Sequence, residues 1–368
     1  VNNSQDNTKI LNNNVRLLYQ SARAFGLAVT YLSDIAYLKI TLGKHNFYTH
    51  CAITPLNLGA SIFMCRAKYT THLLLKKEGF NVPKSVLITT KLYQTCSLNE
   101  LTASLNFPVV AKPAFRSGRG RNILCNIKNL NALEDYLNHH LTDDNDILVE
   151  EFQHNLRDYR VLILDGHVIG VAERFGASVV GDGIHTIAAL IDQKNVIRAK
   201  LSGHMTISPL CVDEEYLACL AQANLTLQSV PLKGQVVKLC HTANTGRGGD
   251  VLSHGTNIHP YNAKRLSEAA HALGIHLVGF DVLCEDIQQP FTHTRWFILE
   301  ANFNADLTLH EKPYQGPAVN VSKKIIWALI KRYPLSYLYT LFYHRRLFFY
   351  FKIATCIIFV SILHRLSI

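Results

Sequence analysis

Glu300 and Asn302 stand two residues apart within an apolar stretch, residues 296–302, and Asp281 lies within another, residues 276–283. Successive side chains of an extended strand leave opposite faces, so residues two apart share one face. If the two stretches are neighbouring strands, three oxygen-bearing side chains converge on one surface. That donor set suits a hard divalent cation. Magnesium in particular is held by one or two carboxylates while phosphate oxygens and waters complete its octahedron. The same residues could equally end a strand and cap a turn.

A second constellation suits phosphate. The apolar residues 108–112 end in Lys112, and Arg116, Ser117, Gly118, Arg119 and Gly120 follow within a short loop. Glycines let main-chain N–H groups fold over phosphate oxygens, and lysine adds a compact positive charge. The loop lacks the G-x-x-x-x-G-K-[ST] spacing of a P-loop, and a solvated basic turn would have a similar composition.

Composition bounds what these groups can serve. The chain has 368 residues, 48% of them hydrophobic and 17% charged, enough for a full core and for two or three packed units. A formal net charge of +10 favours an anionic partner such as a nucleotide, a polyacid or an acidic membrane surface. No run of Lys and Arg interleaved with aromatics is present, which argues against nucleic acid. The nine cysteines are scattered without a C-x-x-C pair, as in a reducing compartment. The eighteen histidines show no H-E-x-x-H spacing, so a zinc site is not expected.

The elements that must position these residues read as mixed α/β. Helical periodicity covers residues 15–25, followed by strands at 28–32, 37–42 and 47–53. A helix over 67–78 leads to a strand at 85–89. Strands at 108–112, 122–127 and 147–151 with a helix at 130–141 complete a compact unit. Two apolar stretches, 159–164 and 167–172, are joined by Asp165-Gly166, a dipeptide suited to a tight hairpin turn with positive φ. A helix at 185–193 and a less regular stretch to about residue 232 come next. Pro260 opens a helix that runs to residue 273, just before Gly274.

The two ends differ in kind. Residues 1–14 are polar and Asn-rich and read as a loose arm rather than a secretory leader. Residues 347–363 are apolar apart from Lys352 and are flanked by Arg345, Arg346, His364 and Arg365. That length is borderline for a bilayer span. An interfacial helix and a helix packed on the protein are the alternatives.

Taken in order, the motifs resemble those of the ATP-grasp ligases, and within them the ATP-grasp domain of cyanophycin synthetase and the ligase half of bifunctional glutathione synthetase. The resemblance runs from about residue 37 to residue 330. It is carried by VVGDGIHTIAALIDQKN at 179–195, AKYTTHLLLKKEGFNVP at 67–83, FPVVAKPAFRSGRGRNI at 107–123, and GFDVL with LEANFN between 279 and 304. It implies an α+β ATP-grasp fold, with two α+β subdomains clasping ATP, a small N-terminal α/β pre-domain and an apolar C-terminal helix. The expected division is 1–65 for the pre-domain, 66–332 for the ATP-grasp domain with a lid at about 84–151, and 333–368 for the tail.

The resemblance also implies roles. Lys68 and Lys112 contact ATP phosphates, and Ser117, Gly118, Arg119 and Gly120 close over them. Glu150 and Glu151 form the adenine hinge and Asp158 bonds the ribose. Arg160 is a phosphate-side or substrate-side cation, and Asp281, Glu300 and Asn302 hold two magnesium ions, for which manganese could substitute. Arg247, with Gly246, Gly248 and Gly249, is assigned to the tetrahedral intermediate. There are departures: Ala67 and Cys240 replace residues usual in the family, the segment between Glu150 and Asp158 is one residue longer, and Ala305-Asp306 stands where proline is expected.

The implied activity is ATP- and magnesium-dependent joining of a carboxylate to an amine through an acyl phosphate, on amino-acid or peptide substrates. A cytoplasmic location is expected, with membrane contact through the tail and homo-oligomer formation left open. The alternative is a degenerate ATP-binding module acting as a membrane-associated sensor or scaffold.

Overall fold

The structure is a computed structural model that describes residues 10, 12–115, 122–201, 207–344 and 347–366. The chain divides into two compact units, one of Val1–Leu56 with Asn320–Ile368 and the other of Asn57–Val319.

The first unit contains strands β1 (Ala28–Leu32), β2 (Tyr37–Leu42) and β3 (His45–Thr49), an antiparallel meander in that order. Helix Asn13–Ala24 is capped by the Asn12 side chain and buries Val15, Leu17 and Leu18. Helix Val321–Arg332 packs against it, with Ser21 Oγ and Ser322 Oγ 2.7 Å apart and Phe25 stacked on Trp327. β3 stops before the expected residue 53 because Cys51 adopts φ 53°, which ends the extended run.

The expected tail holds two helices, Pro334–His344 and Leu347–Leu366, and on the second Phe349, Phe351, Ile357, Phe359 and Val360 are all exposed. The second is therefore not the packed helix that was one expectation for this segment. Nor is the spanning reading upheld: among the described residues no helix is long and apolar enough to cross a membrane.

The second unit is built on two sheets and a small ribbon. Strands β4 (Ser85–Ile88), β5 (Val109–Pro113), β6 (Leu124–Ile127) and β7 (Ile147–Glu151) form a sheet of order β4-β7-β5-β6. Ile88, Val109, Ala111, Ile147 and Val149 bury one face of it with Leu133 and Leu137 of helix Leu130–His140. Residues between these on β5 and β7, Lys112 and Glu150 among them, leave the other face.

Strands β8 (Arg157–Leu164) and β9 (His167–Phe175) form the expected hairpin, with Asp165 and Gly166 at φ 47° and 76°. β10 (Ser178–Val180) pairs with β11 (Val236–Lys238) in a separate ribbon. β12 (Asp250–Gly255), β13 (Leu277–Cys284) and β14 (Trp296–Asn302) complete an antiparallel sheet of order β12-β9-β8-β13-β14.

One face of this five-stranded sheet is apolar. Tyr159, Val161 and Ile163 of β8 and Val278, Phe280 and Val282 of β13 pack with Leu75, Leu266 and Ala270 from helices Lys68–Lys77 and Pro260–Ala272. Full burial of such side chains contributes roughly 1.5–3 kcal/mol each, so this face holds the unit together. The alternate residues are free to be polar.

Between β10 and β11 the sequence reading needs correction. Helix Ile187–Leu201 starts and ends later than the expected 185–193. The stretch read as less regular contains helix Glu214–Gln222, whose Asp213 side chain accepts from Tyr216 N.

Candidate functional site

The polar face of the five-stranded sheet gathers most of the chemistry-bearing residues. Asp281 of β13 stands directly opposite Arg160 of β8 on one side and Glu300 of β14 on the other. Gly279 is opposite Asn302, and Asp158 is opposite Arg174. Cross-strand partners share a face, so Asp158, Arg160, Arg174, Asp281, Glu300 and Asn302 project from the same surface. The arrangement anticipated for Asp281, Glu300 and Asn302 requires β13 and β14 to be neighbours, and they are.

Ion pairs tie this row together. Arg160 Nε donates to Asp281 Oδ1 at 2.6 Å, and Arg174 Nη2 lies 3.0 Å from Asp281 Oδ2. Arg174 also donates to Asp158 Oδ1 from Nε at 2.7 Å. Burial would raise the pKa of Asp281, but the two guanidiniums outweigh it and hold the carboxyl below its ordinary range. Burial, with the negative charge of Asp281 adding to it, pushes Asp158 up to about 6 against the pull of Arg174 and the weaker pull of Arg160. Arg174 was not foreseen from the sequence. β9 continues past residue 172, and alternation along it brings Arg174 to the face of Ala172.

Lysines approach the carboxylates from elsewhere. Lys68, at the start of helix Lys68–Lys77, places Nζ 3.5 Å from Glu300 Oε1 and is only 6% exposed. Lys112 donates to Glu150 Oε1 at 2.6 Å, and both side chains are buried. Burial alone would lower the lysine's pKa, but Glu150, with Glu300 adding to it, raises it. Glu300 is thus within the electrostatic reach of both lysines, and cations from the first half of the unit meet acids from its last strands.

His72 sits among these groups and was also missed. Its Nε2 is 2.8 Å from the Leu299 carbonyl oxygen, to which it donates, and burial lowers its pKa. A one-residue register shift between Asp281 and Val282 leaves Leu299 without a cross-strand partner on β13 and coincides with this contact.

The remaining expected residues are placed differently. Glu150 is committed to Lys112, whereas Glu151 accepts from Asn106 N and Nδ2 at 3.0 and 2.9 Å. Arg247 lies in a short 3-10 turn and pairs with Asp213 and, at 2.7 Å, with Glu215. Glu215 is buried and also accepts from His241 N, Thr242 N and Thr242 Oγ1. Arg198 donates to the Gly249 carbonyl at 3.1 Å and to Asp250. The glycines beside Arg247 are therefore held from two sides. Ser117, Gly118, Arg119 and Gly120 lie outside the described residues.

Asp281, Glu300 and Asn302 fit a magnesium ion. All three offer oxygen, and the Asn302 Nδ2 atom is buried with no protein partner. The Asp281 oxygens bonded to arginine each retain lone-pair capacity. Among the described residues no group of three or more His, Cys, Asp or Glu side chains could hold a metal by itself.

Residues 74–200 match the family model described as D-ala D-ala ligase C-terminus. Cyanophycin synthetase of Synechocystis sp. is 30% identical over 302 residues, which cover 80% of this chain and 34% of that protein. The glutathione biosynthesis bifunctional protein GshAB of Pasteurella multocida is 29% identical over 311 residues, 82% of this chain and 38% of that protein. The crystal structure of a bifunctional glutathione synthetase from Pasteurella multocida aligns with a TM-score of 0.59 at 26% identity, covering 87% of this chain and 43% of that one. The chain thus spans about a third of the length of the curated relatives it matches.

Proposed function

Because the chain belongs to the ATP-grasp family, we propose that it is an ATP- and magnesium-dependent carboxylate–amine ligase acting on amino-acid or peptide substrates. The observation that carries this reading is the direct opposition of Asp281 and Glu300, with Lys68 3.5 Å from Glu300 and Lys112 within its electrostatic reach. Acids that can hold a metal and lysines that can hold phosphate surround one point, as a phosphoryl-transfer site requires.

In this reading residues 66–332 form the ligase domain, with residues 84–151 as its lid. Lys68 and Lys112 hold phosphate oxygens, a role the family resemblance extends to Ser117, Gly118, Arg119 and Gly120, which lie outside the described residues. Glu150 and Glu151 form the hinge that meets the adenine, and Asp158 meets the ribose. Asp281, Glu300 and Asn302 hold two magnesium ions, for which manganese could substitute. The metal supplies neutralisation of the charge that builds on the phosphoryl oxygens.

A substrate carboxylate oxygen attacks the γ-phosphorus of ATP, and the bond to the β–γ bridging oxygen breaks to release ADP. The amine nitrogen of the second substrate then attacks the acyl carbon of the acyl phosphate. The C–O bond to phosphate breaks, inorganic phosphate leaves and the nitrogen loses a proton. Arg160 sits beside Asp281, where it steadies developing negative charge, and Arg247 with its glycines faces the tetrahedral intermediate.

The test is ADP release by the purified protein with ATP, magnesium and a mixed pool of amino acids and dipeptides, with mass spectrometry of the products. ADP formed only when an acid and an amine are both present, with a new amide in the spectrum, supports the reading. No ADP under any pairing would overturn it.

A further inference from the structure

Helix Pro334–His344 turns its polar side to the protein and its apolar side to solvent. Gly43 N donates to Thr340 Oγ1 at 2.7 Å, and Tyr337 Oη donates to the Phe25 carbonyl at 3.1 Å. Ser336 lies so close to Gly43 that a Cβ on the glycine would meet Ser336 Cβ at 2.9 Å. Leu335, Leu338, Tyr339 and Phe342 form a stripe at helical spacing on the other side, and all four are exposed, Leu335 to 79%. A stripe of that spacing ordinarily faces a core. Here it faces outward.

Helix Leu347–Leu366 goes further. Every side chain described on it, from residue 349 to residue 362, is exposed, and Lys352 is the one charged group among them. A helix that is apolar all round needs cover on all sides. A groove on another protein covers one side, whereas acyl chains surround a helix.

Charge separates lipid from a second copy of the chain. From Lys312 to Ile368 the sequence holds nine Lys and Arg residues and no Asp or Glu. Lys323, Lys324 and Lys331, on the helix before the stripe, are exposed. A second copy would bring the same cations against these, and like charges repel. A layer of anionic headgroups attracts them. Lys352 fits the same surroundings, since its long stem lets the ammonium reach the headgroups while the helix around it stays in the apolar layer.

We propose that these two helices anchor the chain on an anionic lipid membrane, with the stripe at the headgroup boundary and the helix after it dipping into the acyl layer. The anchor does not depend on the ligase reading, since none of its residues belongs to the Asp281 row.

Co-sedimentation of the full chain with vesicles tests it. The chain should pellet with phosphatidylcholine vesicles carrying about a quarter phosphatidylglycerol, and less with phosphatidylcholine alone. Leu338→Asp/Phe342→Asp and Ile358→Asp/Phe359→Asp replace exposed residues and leave the fold intact by circular dichroism. Each should weaken vesicle binding about tenfold or more. Lys324→Gln/Lys331→Gln should weaken it on the order of tenfold on the anionic vesicles alone. No pelleting with anionic vesicles, equal binding to the uncharged ones, or unchanged binding in both aspartate variants would each overturn the proposal. So would a lipid-free dimer, seen by analytical ultracentrifugation, that the aspartate substitutions dissociate, because a second copy would then cover these helices.

Discussion

Arg160 and Asp281 face each other across neighbouring antiparallel strands, joined by a 2.6 Å hydrogen bond from Nε to Oδ1, and a second guanidinium, that of Arg174, closes on the other carboxylate oxygen. One buried acid therefore bridges two buried guanidiniums, the second of which is shared with Asp158. Asp281→Ala removes the carboxylate that Arg160 bonds and one of the two that Arg174 bonds, and is expected to cost ~3–5 kcal/mol of stability as well as ADP release. Denaturant unfolding of the purified variant measures the first effect. A variant as stable as the wild type would show that the pair does not hold the sheet.

Lys112 and Glu150 are also buried together. Lys112→Met strands a carboxylate and should destabilise the chain by ~3–5 kcal/mol. The double variant Lys112→Met/Glu150→Leu should recover most of that loss, since an apolar pair of similar volume avoids both desolvation terms. ADP release should stay lost in the double variant. Recovery of activity along with stability would remove Lys112 from the phosphate site.

Asn302 gives the opposite separation. Its Nδ2 makes no protein hydrogen bond, so Asn302→Leu is expected to leave stability within about 1 kcal/mol of the wild type. Magnesium-dependent ATP turnover should fall by a factor on the order of ten or more, as for removal of a metal ligand. Normal turnover over a magnesium titration would exclude the residue from the metal site.

Gly279 has no room for a methyl group: a Cβ there would meet Ala305 Cβ at 2.7 Å and Arg160 Cδ at 2.9 Å. Gly279→Ala should cost ~1–3 kcal/mol through overpacking. It should also displace Arg160 and so lower kcat, with the crystal structure of the variant showing the shift. An Arg160 side chain found in place would refute this.

His310 is fully buried with both ring nitrogens unpartnered, and burial, with Arg160 adding to it, lowers its pKa from 6.5 to about 3. Between those values the unfolded chain binds a proton that the folded chain refuses, so stability is present above about pH 6.5 and drains away as the pH falls toward 3. His310→Leu should flatten this slope, with a difference from the wild type on the order of a few kcal/mol at the acid end. Asp158, raised to about 6, contributes with the opposite sign between its ordinary value and 6. Comparison of the two proteins cancels that contribution. Parallel stability curves for the two would rule out His310 as the source.

Much of this unit was legible because periodicity and turn chemistry agreed. The hairpin at Asp165-Gly166 and the helix opened by Pro260 are local decisions, and both stand where local signals place them. The opposition of Asp281 and Glu300 followed once two apolar stretches were taken as neighbours. Helix Glu214–Gln222 was missed although Asp213 caps it locally and Glu214 and Glu215 fill its first turn, whereas strand β12 is held through Asp250 by Arg198, far along the chain. The short helix Leu98–Thr102 did carry a local signal, the Ser97 and Glu100 capping box. Lys68 and Glu300 were tied together only by the family resemblance, since no spacing rule reaches from one to the other.

The five-stranded sheet interleaves two kinds of genetic lesion along a single strand. On β13, Val278, Phe280 and Val282 anchor the apolar layer, and Gly279 and Asp281 lie on the opposite face, the one proposed to react. A saturation scan read for both abundance and turnover should therefore oscillate with a two-residue beat: depletion of soluble protein at the even positions, and loss of turnover exceeding loss of abundance at the odd ones.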